Sequence, residues 1–150
     1  ISRAIIDGGL MPCGTVRLLA RSLFSPGNVM VSPGRRTRAA LAAEFPPERY
    51  PAAATDRMYE VISHMSDATI RKVSERIGNF TLPEKLPASL PVTEYWYGQD
   101  EENSRKYDIE YIKGLIPDIS LRRLPGMAHG QYAIGCPEQF AADVFRRLNR

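Results

Sequence analysis

The chain has 150 residues, of which 43% are hydrophobic and 25% charged, a composition typical of one folded, soluble domain. The net charge of +3 comes from scattered basic pairs, without the basic stripe and aromatic platform of nucleic-acid-binding proteins. No apolar run approaches the roughly 18 to 20 residues of a membrane span, and residues 1–12 lack the pattern of a signal peptide. We therefore expect a cytoplasmic protein with neither nucleic acid nor membrane as partner.

The two cysteines and two histidines limit the redox and metal chemistry of the chain. Cys13 and Cys136 are far apart, which predicts free thiols in a reducing compartment, with one long-range disulfide as the alternative. The sequence has no His-Glu-x-x-His motif and no Cys/His cluster, so we predict no metal site and no cofactor.

Residues 1–28 are predicted to form the first core strand and its helix. Ser2–Gly9 has a β-branched centre closed by a glycine pair, the pattern of a buried strand that ends at a loop. Apolar residues at helical spacing then follow Pro12 until Ser25. Because the chain begins at Ile1, inside an apolar run and without an initiator Met, we expect it to be a piece of a longer protein.

Residues 29–87 show no strand and are predicted to form a helical insertion. Ser32 and Pro33 would begin a helix over Arg35–Phe45, Asp56 would cap a second helix, and Ser66 with Asp67 would begin a third that ends at Gly78. The predicted inner faces are apolar: Leu41 and Phe45 in the first helix, Met58, Val61, Ile62 and Met65 in the second, and Ile70, Val73 and Ile77 in the third.

Residues 88–150 return to alternating strands and helices. Pro91–Tyr97 is dense in β-forming residues and predicts a strand, which is followed by a helix from about Asn103 to Ile116. A third strand is predicted over Ile119–Leu124. Two arginines in its middle, Arg122 and Arg123, indicate the edge of a sheet, where charged side chains prevent stray pairing.

The last predicted element is a helix that begins at Pro137. Glu138 lies in its first turn, and Arg146 and Arg147 lie in its last, as the helix dipole favours.

The order of these elements predicts an α/β fold, a partial, mostly parallel sheet of three strands with flanking helices and a helical cap insertion. Asp7, Asp100 and His129 fall at the carboxyl ends of the three strands, where ligands bind in such sheets. His129 lies on a tight loop between small residues, a suitable place for a general base. Asp100 shares its polar turn with Glu101 and Glu102, so a solvated turn residue is its alternative interpretation.

Three segments, in order, resemble the C-terminal half of the α/β-hydrolase superfamily. Pro91–Asp100 is similar to the strand ending in Gly-x-Asp that supplies the catalytic acid, Leu124–Gly130 resembles the loop of the catalytic histidine, and Cys136–Phe140 resembles the start of the last helix. By the same comparison, Ile1–Gly9 would follow the nucleophile strand, and Leu10–Pro87 would be the variable cap.

The resemblance implies that His129 is the general base and Asp100 its orienting acid, with Asp7 as the alternative acid. The intact protein would hydrolyse an ester, an amide or a similar small acyl substrate by a Ser-His-Asp triad. The Gly-x-Ser-x-Gly elbow of this superfamily is missing from the 150 residues, so the fragment alone should be inactive. Cys13 follows a strand and precedes a helix, but Met11 and Thr15 are larger than an elbow requires.

A non-catalytic alternative stays open, in which the chain is a hydrolase-like module for self-association or partner binding. Without upstream strands, the first strand would have an unpaired edge. The partner would then be a second copy or the missing N-terminal half, whereas the hydrolase interpretation implies a small-molecule substrate. The other histidine, His64, is interpreted as a structural residue of its helix.

Overall fold

Three short strands rich in β-branched and aromatic residues pair in parallel, in the order β1-β2-β3. They are β1 (Arg3–Asp7), β2 (Val92–Gly98) and β3 (Ser120–Leu124). The structure is a computed structural model that describes residues 3–9, 37–79, 86 and 90–149. The predicted α/β class, with a parallel three-stranded sheet and flanking helices, is confirmed. The helix predicted after Pro12 lies outside the described residues, as does Cys13.

Strand β2 is the central strand, and both of its faces are covered. Tyr95 and Trp96 are completely buried, and because successive side chains of a strand point to opposite faces, they enter two different cores. One core lies against the helix between β2 and β3 and consists of Tyr95, Tyr97, Ile112 and Ile119, with Ile6, Ile109, Tyr111 and Ile116 packed against it. The other core consists of Trp96, Leu124 and Tyr132, with Ile5, Met127, Cys136, Phe140 and Val144 packed against it.

The α/β unit contains the two helices that the sequence predicted after β2 and from Pro137, and a short helix that was not predicted. A 3₁₀ turn over Gln99–Glu101 leads from β2 into a helix over Glu102–Leu115. Two helices follow β3, a short one over Gln131–Gly135 and a longer one over Pro137–Leu148. Pro137 occupies the first helical position as predicted, where its missing N–H costs no hydrogen bond.

Strand β3 lies at an edge of the sheet that the described residues form, as its arginines predicted. Arg122 has a further role, since its guanidinium carbon lies 4.4 Å from the centroid of the Trp96 ring and its Nη2 donates to Asp143 Oδ2 at 2.5 Å. Asp143 belongs to the last helix and also accepts from the Tyr132 hydroxyl at 2.8 Å. These contacts attach the last helix to the sheet.

The chain divides into two compact units, Ile1–Cys13 with Thr81–Arg150 and Gly14–Phe80. The described part of the second unit is helical and contains α1 (Arg38–Glu44), α2 (Ala52–His64) and α3 (Asp67–Asn79). In chain order, the helices of the α/β unit are therefore α4 (Glu102–Leu115), α5 (Gln131–Gly135) and α6 (Pro137–Leu148). None of the described helices has the length and apolar composition of a membrane-spanning helix.

The helix starts in the helical unit were predicted in part. Helix α1 begins later than expected, because Thr37 is its cap and accepts from the Ala40 N–H at 3.1 Å. Asp56 does not cap α2, which begins after Pro51, and its carboxylate instead pairs with Arg38. The predicted start of α3 is confirmed, since the Ser66 hydroxyl accepts from the Thr69 N–H at 3.1 Å.

The predicted end and inner faces of these helices were less accurate. Helix α3 continues through Gly78 to Asn79. Leu41 and Ile70 are buried as expected, but Val61, Met65 and Val73, which were predicted to face inward, are exposed. A small unit has little surface with which to cover each helix, so apolar spacing alone did not decide burial.

Candidate active site

The parallel sheet brings the segments that follow the three strands to one edge. Strand β1 is followed by Gly8, β2 by the 3₁₀ turn that ends at Glu101, and β3 by the loop that carries His129. Two of the predicted site residues, Asp100 and His129, belong to these segments, and Asp7 is the last residue of β1.

His129 is hydrogen-bonded to a carboxylate, that of Glu101. The distance between His129 Nδ1 and Glu101 Oε1 is 2.8 Å. The Glu101 side chain is 9% exposed, whereas the His129 side chain is 58% exposed. A buried carboxylate therefore holds one nitrogen of an imidazole that is open to solvent. This is the arrangement in which a histidine is oriented as a base.

The position of the Nδ1 proton follows from the charges around it. Arg105 Nη2 lies 3.3 Å from the same nitrogen and is a donor, whereas Glu101 Oε1 is an acceptor. The contact with Glu101 is shorter and charge-assisted, and a lone pair on Nδ1 would face the carboxylate with repulsion. Nδ1 therefore carries the proton in the neutral ring, and Nε2 carries the lone pair that can accept one.

Three donors from the protein hold the Glu101 carboxylate itself. Arg105 donates to Oε1 from Nε at 2.9 Å and from Nη2 at 2.7 Å, and the Gly98 N–H donates to Oε2 at 3.3 Å. Burial raises the pKa of the Glu101 carboxyl, but the hydrogen bonds and charge of Arg105, with smaller contributions from His129 and Gly98, outweigh it. The pKa is therefore lowered, and the carboxylate is ionised at neutral pH.

Two glycines allow the histidine loop to approach the strand ends. Gly8 has a φ of +58°, and a Cβ on it would lie 3.2 Å from both Cε1 and Nδ1 of His129, so the ring packs directly on this turn. A Cβ on Gly98 would lie 2.5 Å from the Met127 carbonyl oxygen and 2.9 Å from that of Ala128. Larger residues at either position would displace the loop.

We expect Gly98→Ala to destabilise the fold by about 1 to 3 kcal/mol, because the new methyl group meets two backbone carbonyls that can yield only by moving the histidine loop. Gly114→Ala is the matched control. Gly114 is helical, with no atom within 4 Å of a new Cβ, so this change should stabilise by up to about 1 kcal/mol. Urea unfolding of both variants measures the difference, and equal effects would contradict the close approach at Gly98.

Asp100, the predicted orienting acid, precedes Glu101 in the 3₁₀ turn and is exposed. Its backbone N–H donates to the Met127 carbonyl at 3.1 Å, which attaches the turn to the histidine loop. Glu101 thus joins Asp100 and Asp7 as a candidate for the acid, because its carboxylate lies 2.8 Å from His129 Nδ1. The 3₁₀ turn carries Glu101 back to the Gly98 N–H, three residues earlier. This is the glutamate half of a capping box, and glycine at the cap position lacks the side chain for the other half, so the usual sequence signature is absent.

Asp7, the alternative acid, lies close enough to Glu101 and His129 for their charges to shift its pKa. The residue is exposed overall, yet partial burial of its carboxyl and then the negative charge of Glu101 raise its pKa, while His129 opposes them. A raised pKa means that ionised Asp7 destabilises the folded state. This cost is absent below the ordinary pKa of 3.8 and grows as the pH rises through the folded-state value.

Asp7→Asn should therefore stabilise the protein slightly at pH 7, by well under about 1 kcal/mol because the residue is exposed. The gain should shrink as the pH falls through the raised pKa of Asp7 and vanish below the ordinary value of 3.8. Urea midpoints across this pH range measure the effect, and a gain that grows on acidification would contradict the inferred sign.

The remaining candidates do not belong to this group. His64 lies in the helical unit, is exposed, and its Nδ1 lies 2.7 Å from the Glu60 carbonyl oxygen. Cys136 is a free thiol packed against the Trp96 core. In the described part of the chain, no three His, Cys, Asp or Glu side chains are grouped in a way that could hold a metal ion.

Comparison of the chain with protein-family models, with characterised proteins and with solved structures gives no match. The functional interpretation therefore rests on the geometry of His129, Glu101 and Arg105.

Proposed function

We propose that this chain is the C-terminal part of an α/β-hydrolase whose intact form cleaves an ester, an amide or a similar small acyl substrate. The observation that supports it best is the 2.8 Å hydrogen bond between His129 Nδ1 and Glu101 Oε1, on loops at the carboxyl ends of neighbouring parallel strands. In this proposal His129 is the general base and Glu101, rather than Asp100 or Asp7, is its acid.

The chemistry follows from the tautomer. Nε2 takes the proton of a nucleophile as the nucleophile attacks the acyl carbon, and the imidazolium that forms donates its Nδ1–H to the ionised Glu101. Nε2 then returns the proton to the leaving group. Proton transfer of this kind accelerates a reaction by about 10²- to 10⁴-fold. The exposure of the His129 side chain is consistent with a ring that reaches substrate.

No Gly-x-Ser-x-Gly elbow, the usual site of the nucleophile in this superfamily, occurs in the 150 residues. We propose that a serine in a segment before Ile1 supplies the nucleophile, and that the helical unit is the cap that selects the substrate. Cys13 stays a weaker candidate for the nucleophile, and it lies outside the described residues.

The test uses the intact polypeptide, with any segment encoded before Ile1. It should hydrolyse a chromogenic ester and be labelled by a serine-reactive phosphonate. His129→Ala should abolish both, while His64→Ala should leave both unchanged, because His64 is exposed and its Nδ1 contacts the Glu60 carbonyl oxygen of its own helix. An intact protein without hydrolysis or labelling, or a His129→Ala variant of full activity, would contradict the proposal.

A non-catalytic module is the second candidate, and the edge of β1 favours it. In the described residues β1 pairs with β2 alone, and Ile5 and Ile6 at its centre are half-buried. Such an edge can pair with a strand of a second copy. Light scattering of the chain tests this candidate, since a stable monomer of 16.8 kDa would contradict self-association.

A further inference from the structure

Arg105 is a buried cation that contacts three ionisable side chains. It is 8% exposed and lies on α4, four residues after Glu101. Nη2 is 2.7 Å from Glu101 Oε1 and 3.3 Å from His129 Nδ1, and Nη1 is 3.5 Å from Asp108 Oδ2. Because Nη2 and the protonated Nδ1 both donate to Glu101 Oε1, their 3.3 Å separation reflects a shared acceptor, which places the guanidinium directly beside the imidazole.

The shape of the guanidinium group decides how Glu101 is held. Nε and Nη2 both donate to Oε1, at 2.9 and 2.7 Å, so two N–H groups of one rigid plane converge on a single oxygen. The Gly98 N–H occupies the other oxygen. The last torsion of a glutamate side chain is otherwise broad, so these contacts fix which oxygen faces His129.

A second carboxylate, that of Asp108, holds the other end of the Arg105 guanidinium group. Asp108 is 3% exposed and lies within reach of Nη1, so the guanidinium lies between two buried carboxylates, that of Glu101 at the end of the 3₁₀ turn and that of Asp108 on α4. His129, by contrast, is on a loop and its side chain is mostly exposed. Gly8 and Glu101 lie against the imidazole on the buried side of the cluster.

We infer that Arg105 is a positioning residue. Its planar fork, held by Asp108, fixes Glu101 Oε1 opposite Nδ1 and so keeps His129 in the orientation and tautomer of a base. The catalytic meaning of this role rests on the proposed function, whereas the geometric role does not. A rival role for the same contacts is competition, in which Arg105 draws Glu101 away from His129.

The experiment is proton NMR of the His129 Nδ1–H in the 150-residue chain, assigned with His129→Gln and with His64 as the internal reference. Wild-type protein should show a downfield, slowly exchanging resonance. Arg105→Lys keeps the buried cation but cannot direct two coplanar N–H groups to one oxygen. Its resonance should exchange about tenfold faster or disappear, while the backbone spectrum stays that of a folded protein.

Arg123→Lys is the matched control. Arg123 pairs at 3.0 Å with Glu102, the exposed neighbour of Glu101, so the His129 Nδ1–H resonance should be unchanged in this variant. If Arg105→Lys shows the same Nδ1–H resonance as wild type, a positive charge alone is enough to hold Glu101 against His129, and the positioning role of Arg105 is overturned. A slower-exchanging resonance would overturn it in favour of competition.

The same variant separates this inference from the proposed function. In the intact protein, Arg105→Lys should lower kcat with KM little changed. If the intact protein has no hydrolase activity but the resonance is lost in Arg105→Lys, the proposed function fails and the positioning role stands.

Discussion

Replacing Glu101 by glutamine is expected to lower the kcat of the intact protein by about 10²- to 10⁴-fold, with KM little changed. The glutamine amide has no negative charge with which to stabilise the imidazolium. It also places an NH₂ group either against the donors of Arg105 or against the Gly98 N–H, so one favourable contact becomes a repulsive one. Steady-state kinetics on a chromogenic ester measures the loss.

Asp100→Asn is the matched control, since it makes the same chemical change one residue earlier in the same turn. Asp100 contributes its backbone N–H to the Met127 carbonyl, and this bond survives the substitution. Activity should therefore stay within a few fold of wild type. A large loss in Asp100→Asn together with a small loss in Glu101→Gln would return the role of the acid to Asp100.

Arg105→Met is expected to destabilise the protein by about 3 to 5 kcal/mol, because it leaves the charges of Glu101 and Asp108 buried without their cation. Arg123→Met is the control. It breaks an ion pair of the same type whose side chains are 43% and 53% exposed, and it should cost at most about 1 kcal/mol. Urea unfolding at pH 7 compares the two.

The loss of stability in Arg105→Met should depend on pH, in a direction that follows from the pKa of Glu101. Because the folded-state pKa of Glu101 is lowered, the ion pair contributes fully above the ordinary value of 4.5 and loses its contribution as the pH falls through the folded-state value. The difference in stability between Arg105→Met and wild type should therefore shrink as the pH falls below the ordinary value of 4.5. A loss of under about 1 kcal/mol at pH 7, or one that grows on acidification, would contradict a buried, ionised pair.

Much of the α/β unit could be predicted because its signals are local. β-Branched and aromatic runs predicted the strands, Pro137 predicted the start of the last helix, and Arg122 and Arg123 predicted an edge strand. The His129 loop was found because Pro125 and Gly126 end the strand signal. Each of these patterns reflects one element without reference to its neighbours.

The carboxylate that contacts His129 was harder to predict, because its identity depends on a single turn. Asp100, Glu101 and Glu102 are consecutive carboxylates, and the 3₁₀ geometry decides which one returns over the end of β2. The contribution of Arg105 depends on α4 following that turn directly, so that residues 101 and 105 share a face. Backbone geometry at one junction, rather than composition, therefore selected the residue.

The helical unit shows the other limit of sequence patterns. Apolar spacing located its helices but did not predict that Val61 and Val73 would be 42% and 48% exposed, because burial depends on which surfaces meet. Asp56 resembles a cap by residue type, but Pro51 already begins the helix, so its carboxylate pairs with Arg38 instead.

The ring-nitrogen chemical shifts of His129 test the central claim most directly. In the wild-type chain, at a pH where the imidazole is neutral, ¹⁵N NMR should show a protonated Nδ1 and an unprotonated Nε2, as the hydrogen bond to Glu101 Oε1 requires. Such a ring presents its lone pair to a nucleophile. A protonated Nε2, or a mixture of tautomers like that of an imidazole in water, would contradict the Glu101–His129 pair.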